Sequence, residues 1–185
     1  MNVADYFKAQ EFLAVGMEEL GLSDPSEISF EVSSNSNESH SIVTQYIIEG
    51  WQQNLGVNAV MDNKEMQVHM ESMAMLDYQV GRMGYSPGYN DATAFLGMFE
   101  TVDTGGNDTG WENAEFKELL DKAANETDPE TRTEYLLEAE ALFMEEMPAI
   151  PVYFYSNAYV TQDYLDGLIP DPIGNVQFKE AVLAK

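Results

Sequence analysis

The stretch ISFEVSS, residues 28–34, decides the fold. Apolar and polar residues alternate along it, which is the pattern of a β-strand with one buried face. The apolar spacing of residues 4–20 predicts a helix before it, and Gly21 suits the end of that helix. The polar cluster SNSNES follows the strand and supplies candidate caps for a second helix at about 39–54. A strand placed between two helices indicates an α/β arrangement.

The alternation of helix and strand continues through residue 84. GVNAVM (56–61) and LDYQVGRMG (76–84) have the composition of strands, and the Met-rich segment 64–75 between them predicts a helix. The expected fold class is therefore α/β, with a mixed sheet flanked by helices. The stripe expected to be buried on the helix at 39–54 consists of Ile42, Tyr46, Ile47 and Trp51.

The second half of the chain predicts two amphipathic helices, at about 112–125 and 129–146. Asp128 is the expected N-cap of the second, and Pro129 suits its first helical position. The apolar, aromatic run 147–160 is bounded by prolines and predicts a strand, and the tail after it is rich in turn residues. The residues expected on the core face of the second helix are Tyr135, Leu136, Leu142, Phe143 and Met147.

The composition excludes several classes of function. The chain has 33 Asp and Glu against 8 Lys and Arg, a formal net charge of −25, so it cannot neutralise a phosphate backbone and we expect no nucleic-acid partner. There is no cysteine, which excludes disulfides and thiolate metal sites. No apolar run reaches the roughly 20 residues that span a bilayer, and no signal peptide is recognisable. Either the protein is cytoplasmic or a targeting segment lies outside this chain.

Recognisable catalytic and cofactor motifs are absent from the sequence. It has neither a phosphate-loop lysine motif nor a G-x-S-x-G elbow, and we expect no cofactor and no catalytic residues. The two histidines are His40 and His69, and neither lies in an H-E-x-x-H motif. His69 has Glu65 and Glu71 nearby, but acidic helices place carboxylates beside a histidine by chance, so we expect no metal site.

The segment MGYSPGYN, residues 83–90, contains no charged residue, although the chain is strongly acidic. It follows the predicted strand 76–84 directly. Glycine lets two backbones approach closely, and tyrosine offers an apolar wall with a polar tip. A strand end of this composition is suited to pairing with the backbone of another chain.

Four runs, in this order, resemble the C-terminal part of oligopeptide-binding proteins, the extracytoplasmic solute receptors of ABC peptide importers. They are WQQNLGVNAV, DYQVGRMGYSPGYNDATAFLGMF, EAEALFMEEMPAIPVYFYSNAYV and PIGNVQFKE. The resemblance implies a portion of one lobe of a type II periplasmic-binding-protein fold. It implies a single domain over 1–185, with the tail from about 158 to 185 packing against a lobe that lies outside this chain. It further implies an extracytoplasmic, lipid-anchored receptor whose partners are a peptide or related solute and a membrane permease.

The resemblance also implies a ligand site. In this family the segment matching Met83 to Ser86 lines the cleft and pairs with the peptide backbone. Arg82 falls at an arginine that meets the ligand carboxylate, His40 at a position that assists it, and Asn35 on the same wall. Gly88 departs from the family, whose peptide binders carry an aspartate there for the ligand α-ammonium. The implied ligand-binding residues are Asn35, His40, Arg82, Met83, Gly84, Tyr85, Ser86 and Gly88.

Two other functions remain open at this point. One is a protein–protein interaction domain whose partner surface is formed by the apolar residues of 149–160 and the tail. The other is a hydrolase that uses acidic residues, which would need a concave pocket of carboxylates with perturbed pKa values. The receptor interpretation predicts an exposed apolar patch as well, and therefore a homodimer through the exposed C-terminal segment.

Overall fold

The computed structural model describes residues 5–171 and 173–183. These residues form two compact units, the first ending at Gly84 and the second beginning at Tyr85. The single domain expected over 1–185 stays a prediction, as does the packing of its tail. Residues 172, 184 and 185 of that tail lie outside the described residues. No helix in the described ranges is long and apolar enough to cross a membrane.

The first unit confirms the predicted alternation of helices and strands. Its sheet has the order β2-β1-β3, and both pairings are parallel, so the α/β class is confirmed. Its elements are α1 (Tyr6–Leu20), β1 (Ser29–Asn35), α2 (Glu38–Leu55), β2 (Asn58–Lys64), α3 (Met66–Ala74) and β3 (Val80–Gly81). β1 pairs with β2 along its whole length but with β3 only at Val32 and Ser33. β3 is therefore much shorter than the strand expected over 76–84.

The core of the first unit lies between the sheet and α2. Val32, Ile48 and Ala59 are buried at its centre, and Phe30 and Trp51 pack on them with ring centroids 5.7 Å apart. Each parallel connection in this unit passes through a helix, which allows the apolar face of that helix to cover the sheet.

The predicted buried stripe of α2 is partly wrong. Ile42 and Tyr46 are 63% and 78% exposed, whereas Thr44 and Ile48 are the buried residues of the helix. Thr44 occupies the buried face because its single hydroxyl hydrogen is shared between the His40 carbonyl oxygen at 2.9 Å and the Ser34 hydroxyl at 3.2 Å. The pattern of apolar residues cannot reveal a buried threonine, so the predicted stripe was rotated away from the true face. Ile47 and Trp51 are half-buried, as part of that face.

Helix α1 begins and ends as its sequence predicts, but none of its side chains is buried. The Asp5 side chain accepts from the Lys8 N–H at its start, and Gly21 adopts a left-handed conformation at its end. Phe7 and Leu20 remain 84% and 71% exposed. Leu13 and Met17 are half-buried, so only part of the apolar surface of this helix faces solvent in this structure.

The second unit is built on a pair of helices. Its helices are α4 (Thr93–Leu96), α5 (Ala114–Asn125) and α6 (Pro129–Glu146). Asp128 caps α6 through the Thr131 N–H, with Pro129 at the first position, as predicted. The buried core consists of Leu96, Phe116, Leu119, Leu120, Ala123, Leu136, Ala139 and Phe143.

The predicted core face of α6 is confirmed in its centre and wrong at its end. Leu136 and Phe143 are buried, and Tyr135 and Leu142 pack against the core from partly buried positions. Met147 is 41% exposed, because it terminates the helix in a left-handed conformation with φ of 50° and leaves the core face.

The strand predicted over 147–160 is wrong. Residues 151–160 have no regular structure, and Phe154 and Val160 are 96% and 97% exposed. No described strand pairs with this run, so its β propensity finds no partner. The tail is turn-rich, as expected, with two short antiparallel ladders. β4 (Leu165–Asp166) pairs with β7 (Val182–Leu183), and β5 (Ile169–Pro170) pairs with β6 (Val176–Gln177).

Candidate ligand-binding site

The topology of the first unit directs attention to the carboxyl ends of β1 and β3. From β1 the chain passes through α2 to β2 on one side, then through α3 to β3 on the other side. The point where connections leave a strand in opposite directions is where open parallel sheets bind their ligands, because a crevice opens there. Asn35 is the last residue of β1, and Arg82 follows β3 directly.

Buried polar residues are concentrated at this end of the sheet. In the described part of the chain, all buried polar residues except Asn107 lie there: Ser33, Ser34, Asn35, Thr44 and His69. Burying a polar group is unfavourable unless it is hydrogen-bonded, and no buried side-chain nitrogen or oxygen among the described residues lacks a partner. The carboxyl end of the central strand therefore carries a group of hydrogen-bonded polar side chains beside an otherwise apolar core.

Three of the predicted site residues, Asn35, His40 and Arg82, meet at this end of the sheet. His40 Nδ1 lies 2.8 Å from Asn35 Oδ1 and 3.0 Å from Arg82 Nη1. Asn35 Oδ1 also accepts from the Asn37 N–H, which fixes the orientation of the amide. Because guanidinium only donates and this amide oxygen only accepts, Nδ1 can hydrogen-bond to one of the two at a time. The position of one proton on His40 therefore decides whether Arg82 is held by the imidazole.

The electrostatics of this group favour a neutral imidazole beside a fixed cation. Burial lowers the pKa of His40 below its usual value, and electrostatic repulsion from the Arg82 guanidinium, with a contribution from the His69 imidazole, lowers it further. His40 is then uncharged at neutral pH, and the positive charge belongs to Arg82, which stays protonated. A guanidinium with an adjacent N–H donor is suited to bind a carboxylate.

The main chain beyond Arg82 is accessible. The Arg82 N–H donates to the Ser33 carbonyl, and the next residues, Met83 and Gly84, are exposed. Within the described residues, no hydrogen bond engages the main-chain groups of Met83 or Gly84. The structure thus leaves this backbone available to pair with another chain. That it does so remains a prediction.

The remaining predicted site residues lie at the start of the second unit. Tyr85, Ser86 and Gly88 are all exposed, and the Tyr85 ring packs edge-on against Phe95 with centroids 5.7 Å apart. No described heavy atom outside the neighbouring residues lies within 4 Å of the position that a Cβ at Gly88 would take. A larger side chain at residue 88 would therefore project into open space.

Asp91 is the carboxylate nearest in sequence to Gly88, and it is occupied. Its Oδ1 accepts from Arg132 Nη2 at 2.9 Å and from the Thr93 N–H and hydroxyl at 2.9 and 2.7 Å. The hydrogen bonds from Arg132 and Thr93 hold the pKa of Asp91 well below its usual range. Asp91 therefore anchors the start of α4 to α6 and does not replace an aspartate at residue 88.

Sequence reasoning missed the role of His69. Its side chain is fully buried, with Nδ1 3.1 Å from the Ser33 hydroxyl and Nε2 2.8 Å from the Arg82 carbonyl oxygen. One signal could have revealed it: His69 and Met73 are four residues apart on α3 and form its buried face. Among the described residues, no three His, Cys, Asp or Glu side chains are grouped so that they could hold a metal ion.

The first unit is an α/β unit with a polar group at the carboxyl end of its sheet, and comparison with known proteins gives its relatives. The chain is homologous to oligopeptide-binding proteins, which confirms the resemblance drawn from its sequence. It is 41% identical over 187 residues to the oligopeptide-binding protein OppA of Bacillus subtilis, a match that covers 97% of this chain and 34% of OppA. The dipeptide-binding protein DppE of the same organism is 32% identical over 174 residues, covering 94% and 32% of the two chains.

Solved structures agree with these matches. The structure of Listeria monocytogenes OppA bound to peptide is similar with a TM-score of 0.78 and 26% identity, over 98% of this chain and 34% of that one. No protein-family profile matches the chain. The chain spans about a third of the length of the curated relatives it matches. The two curated relatives are named as binding proteins, and their names give no support to the expected homodimer.

Proposed function

We propose that this chain forms one wall of the peptide-binding cleft in an extracytoplasmic, lipid-anchored receptor that delivers oligopeptides to the permease of an ABC importer. The observation that carries the proposal is the accessible, unpaired main chain of Met83 and Gly84 directly after Arg82, at the carboxyl end of the sheet. The names of the homologous proteins support a peptide as the ligand. The role is binding without catalysis.

The geometry suits a ligand whose sequence varies. Every peptide presents the same backbone donors and acceptors, so an extended peptide can be added beside the main chain of Met83 to Ser86 as a further strand. Arg82, with His40 beside it, binds the carboxylate at one end of that peptide. Affinity then comes from groups common to all peptides, and the exposed tyrosine and methionine side chains tolerate different ligand side chains.

A titration of the isotope-labelled chain with trialanine, observed by NMR, tests this function. We expect weak binding, with a Kd of about 1 mM or above. This corresponds to a binding free energy no more favourable than about −4 kcal/mol, because closure of a second lobe over the ligand is missing. The amide shifts should change at Asn35, His40 and Arg82 to Ser86. Submicromolar binding by this chain alone would contradict the need for a second lobe, and shifts confined to other surfaces would contradict the site.

Gly88 offers a test of how the amino terminus of the ligand is held. The family position carries an aspartate for the α-ammonium, and the open space around residue 88 accepts one. We expect Gly88→Asp to strengthen trialanine binding by about fivefold, since one charge-assisted hydrogen bond at an exposed site contributes about 1 kcal/mol. The measurement is the same titration.

Two controls isolate the charge at residue 88. Gly88→Asn has nearly the same size without the charge and should leave the affinity unchanged. N-acetylated trialanine lacks the ammonium and should bind Gly88→Asp no better than the original chain. An equal gain for the acetylated peptide would show that residue 88 does not face the amino terminus.

A further inference from the structure

His69 is a buried side chain that joins the central strand to the residue carrying the candidate carboxylate-binding cation. It belongs to α3 and is fully buried. One ring nitrogen contacts β1, and the other contacts the residue that follows β3. Nδ1 faces the hydroxyl of Ser33 in β1, and Nε2 faces the carbonyl oxygen of Arg82 just beyond β3. Neither the sequence motifs nor the names of the relatives assign it a role.

The chemistry of the two partners fixes the tautomer of His69. A carbonyl oxygen can only accept, so the 2.8 Å contact requires the hydrogen on Nε2. The Ser33 hydroxyl can donate to an unprotonated Nδ1 or accept from a protonated one, so it is satisfied in either state. The contact with Arg82 is therefore a directed hydrogen bond from a side chain that the surrounding protein holds in place.

This hydrogen bond acts where the sheet gives little support. Only two residues of β3 pair with β1, and the Arg82 N–H makes the last main-chain bond of that ladder, 2.8 Å from the Ser33 carbonyl. The Arg82 carbonyl accepts from His69 instead of continuing the ladder. Ser33 therefore holds the N–H of Arg82, and His69 holds its carbonyl oxygen. Together they set the direction in which Met83 and Gly84 leave the sheet.

From this geometry we infer that His69 is a positioning residue for ligand recognition. It orients the Arg82 main chain, and with it the guanidinium and the accessible backbone of Met83 and Gly84, without touching the ligand. The inference rests on the proposed function for its consequence, but the positioning itself is measurable without any ligand. A neutral amide that reaches the same carbonyl should replace the imidazole in this role.

Three variants separate positioning from general stability. His69→Gln retains a donor near the place of Nε2, and His69→Phe fills the cavity but removes the donor that His69 supplies to the Arg82 carbonyl. Ser33→Ala is the matched control, because it removes the other hydrogen bond of the same imidazole while keeping the bond to Arg82. Hydrogen exchange of the Arg82 to Gly84 amides and trialanine titration are measured for each.

We expect His69→Phe to accelerate exchange of the Arg82 amide by about tenfold and to weaken trialanine binding by a similar factor, since loss of a hydrogen bond to this part-buried carbonyl loosens the peptide unit that it orients. His69→Gln should restore most of both values, and Ser33→Ala, which keeps the hydrogen bond to Arg82, should change both clearly less than His69→Phe does. In the original chain, nitrogen-15 shifts of His69 should place the proton on Nε2.

Several results would overturn the inference. They are a proton found only on Nδ1, or an acceleration of exchange in Ser33→Ala or His69→Gln as large as that in His69→Phe. If His69→Phe does not fold, the His69→Gln and Ser33→Ala pair and the tautomer measurement still decide. Failure of the proposed function looks different, because the original chain would then show no peptide-induced shifts while the exchange effect of His69 persisted.

Discussion

Replacing Phe116 by alanine is expected to lower the free energy of unfolding of the second unit by about 3 to 5 kcal/mol. The ring is fully buried, and its centroid lies 5.0 Å from that of Trp111 and 6.2 Å from that of Phe143. Truncation removes these contacts and leaves a cavity between two helices that are already closely packed. Domains are stable by only about 5 to 15 kcal/mol in total, so the loss is a large part of the stability.

Denaturant unfolding followed by tryptophan fluorescence measures this effect. The two tryptophans lie in different units, Trp51 in the first and Trp111 in the second, so a Trp51→Phe background reports the second unit alone. The midpoint should fall with little change in slope. Phe154→Ala is the matched control, because the Phe154 side chain is 96% exposed and its truncation should cost less than about 0.5 kcal/mol. Equal effects of the two substitutions would refute the assigned core.

Replacing Arg82 by methionine is expected to weaken binding of a peptide with a free carboxylate by at least about 30-fold, because removal of one partner from a charge-assisted pair typically costs about 2 kcal/mol or more. With an original Kd of about 1 mM, trialanine should then produce no saturable shifts at any practical concentration. Arg82→Lys keeps the charge but loses the planar fork, and it should give an intermediate affinity.

The carboxylate dependence is tested with trialanine amide. This ligand lacks the negative charge, so it should bind the original chain and Arg82→Met equally weakly. A difference between the two proteins for the amide would mean that Arg82 acts on something other than the carboxylate. Thermal unfolding of each variant provides the control for folding, since Arg82 also contacts His40 in the structure.

Local pattern was sufficient for most of the secondary structure. The alternation in ISFEVSS predicted β1, and the Asp128 and Pro129 pair predicted the start of α6, because both signals act within a few residues. Errors occurred where the outcome depends on a distant partner. Thr44 is buried because Ser34 accepts from it across the core. The run 147–160 has the composition of a strand, but no described strand lies beside it.

The candidate site was predictable only through the family resemblance. Arg82 and His40 are 42 positions apart in sequence, and nothing in the local pattern of either indicates that their side chains meet. The resemblance placed them on one wall together with Asn35, and the structure brings these three side chains together. The resemblance gave no indication of His69. The positioning role that we infer for it follows from its tautomer and from the Arg82 carbonyl oxygen that it faces.

The unequal pairing of the central strand has a consequence for local unfolding of the protein. β1 shares seven paired residues with β2 but only two with β3, so β3 needs far fewer main-chain bonds to be broken before it separates. Native proteins open in parts, and the most weakly attached elements open first. Transient excursions of the first unit should therefore begin at the edge that carries Arg82, while β1 and β2 persist. For the proposed function, such an edge allows small shifts that accommodate ligands of differing bulk while the rest of the unit stays folded.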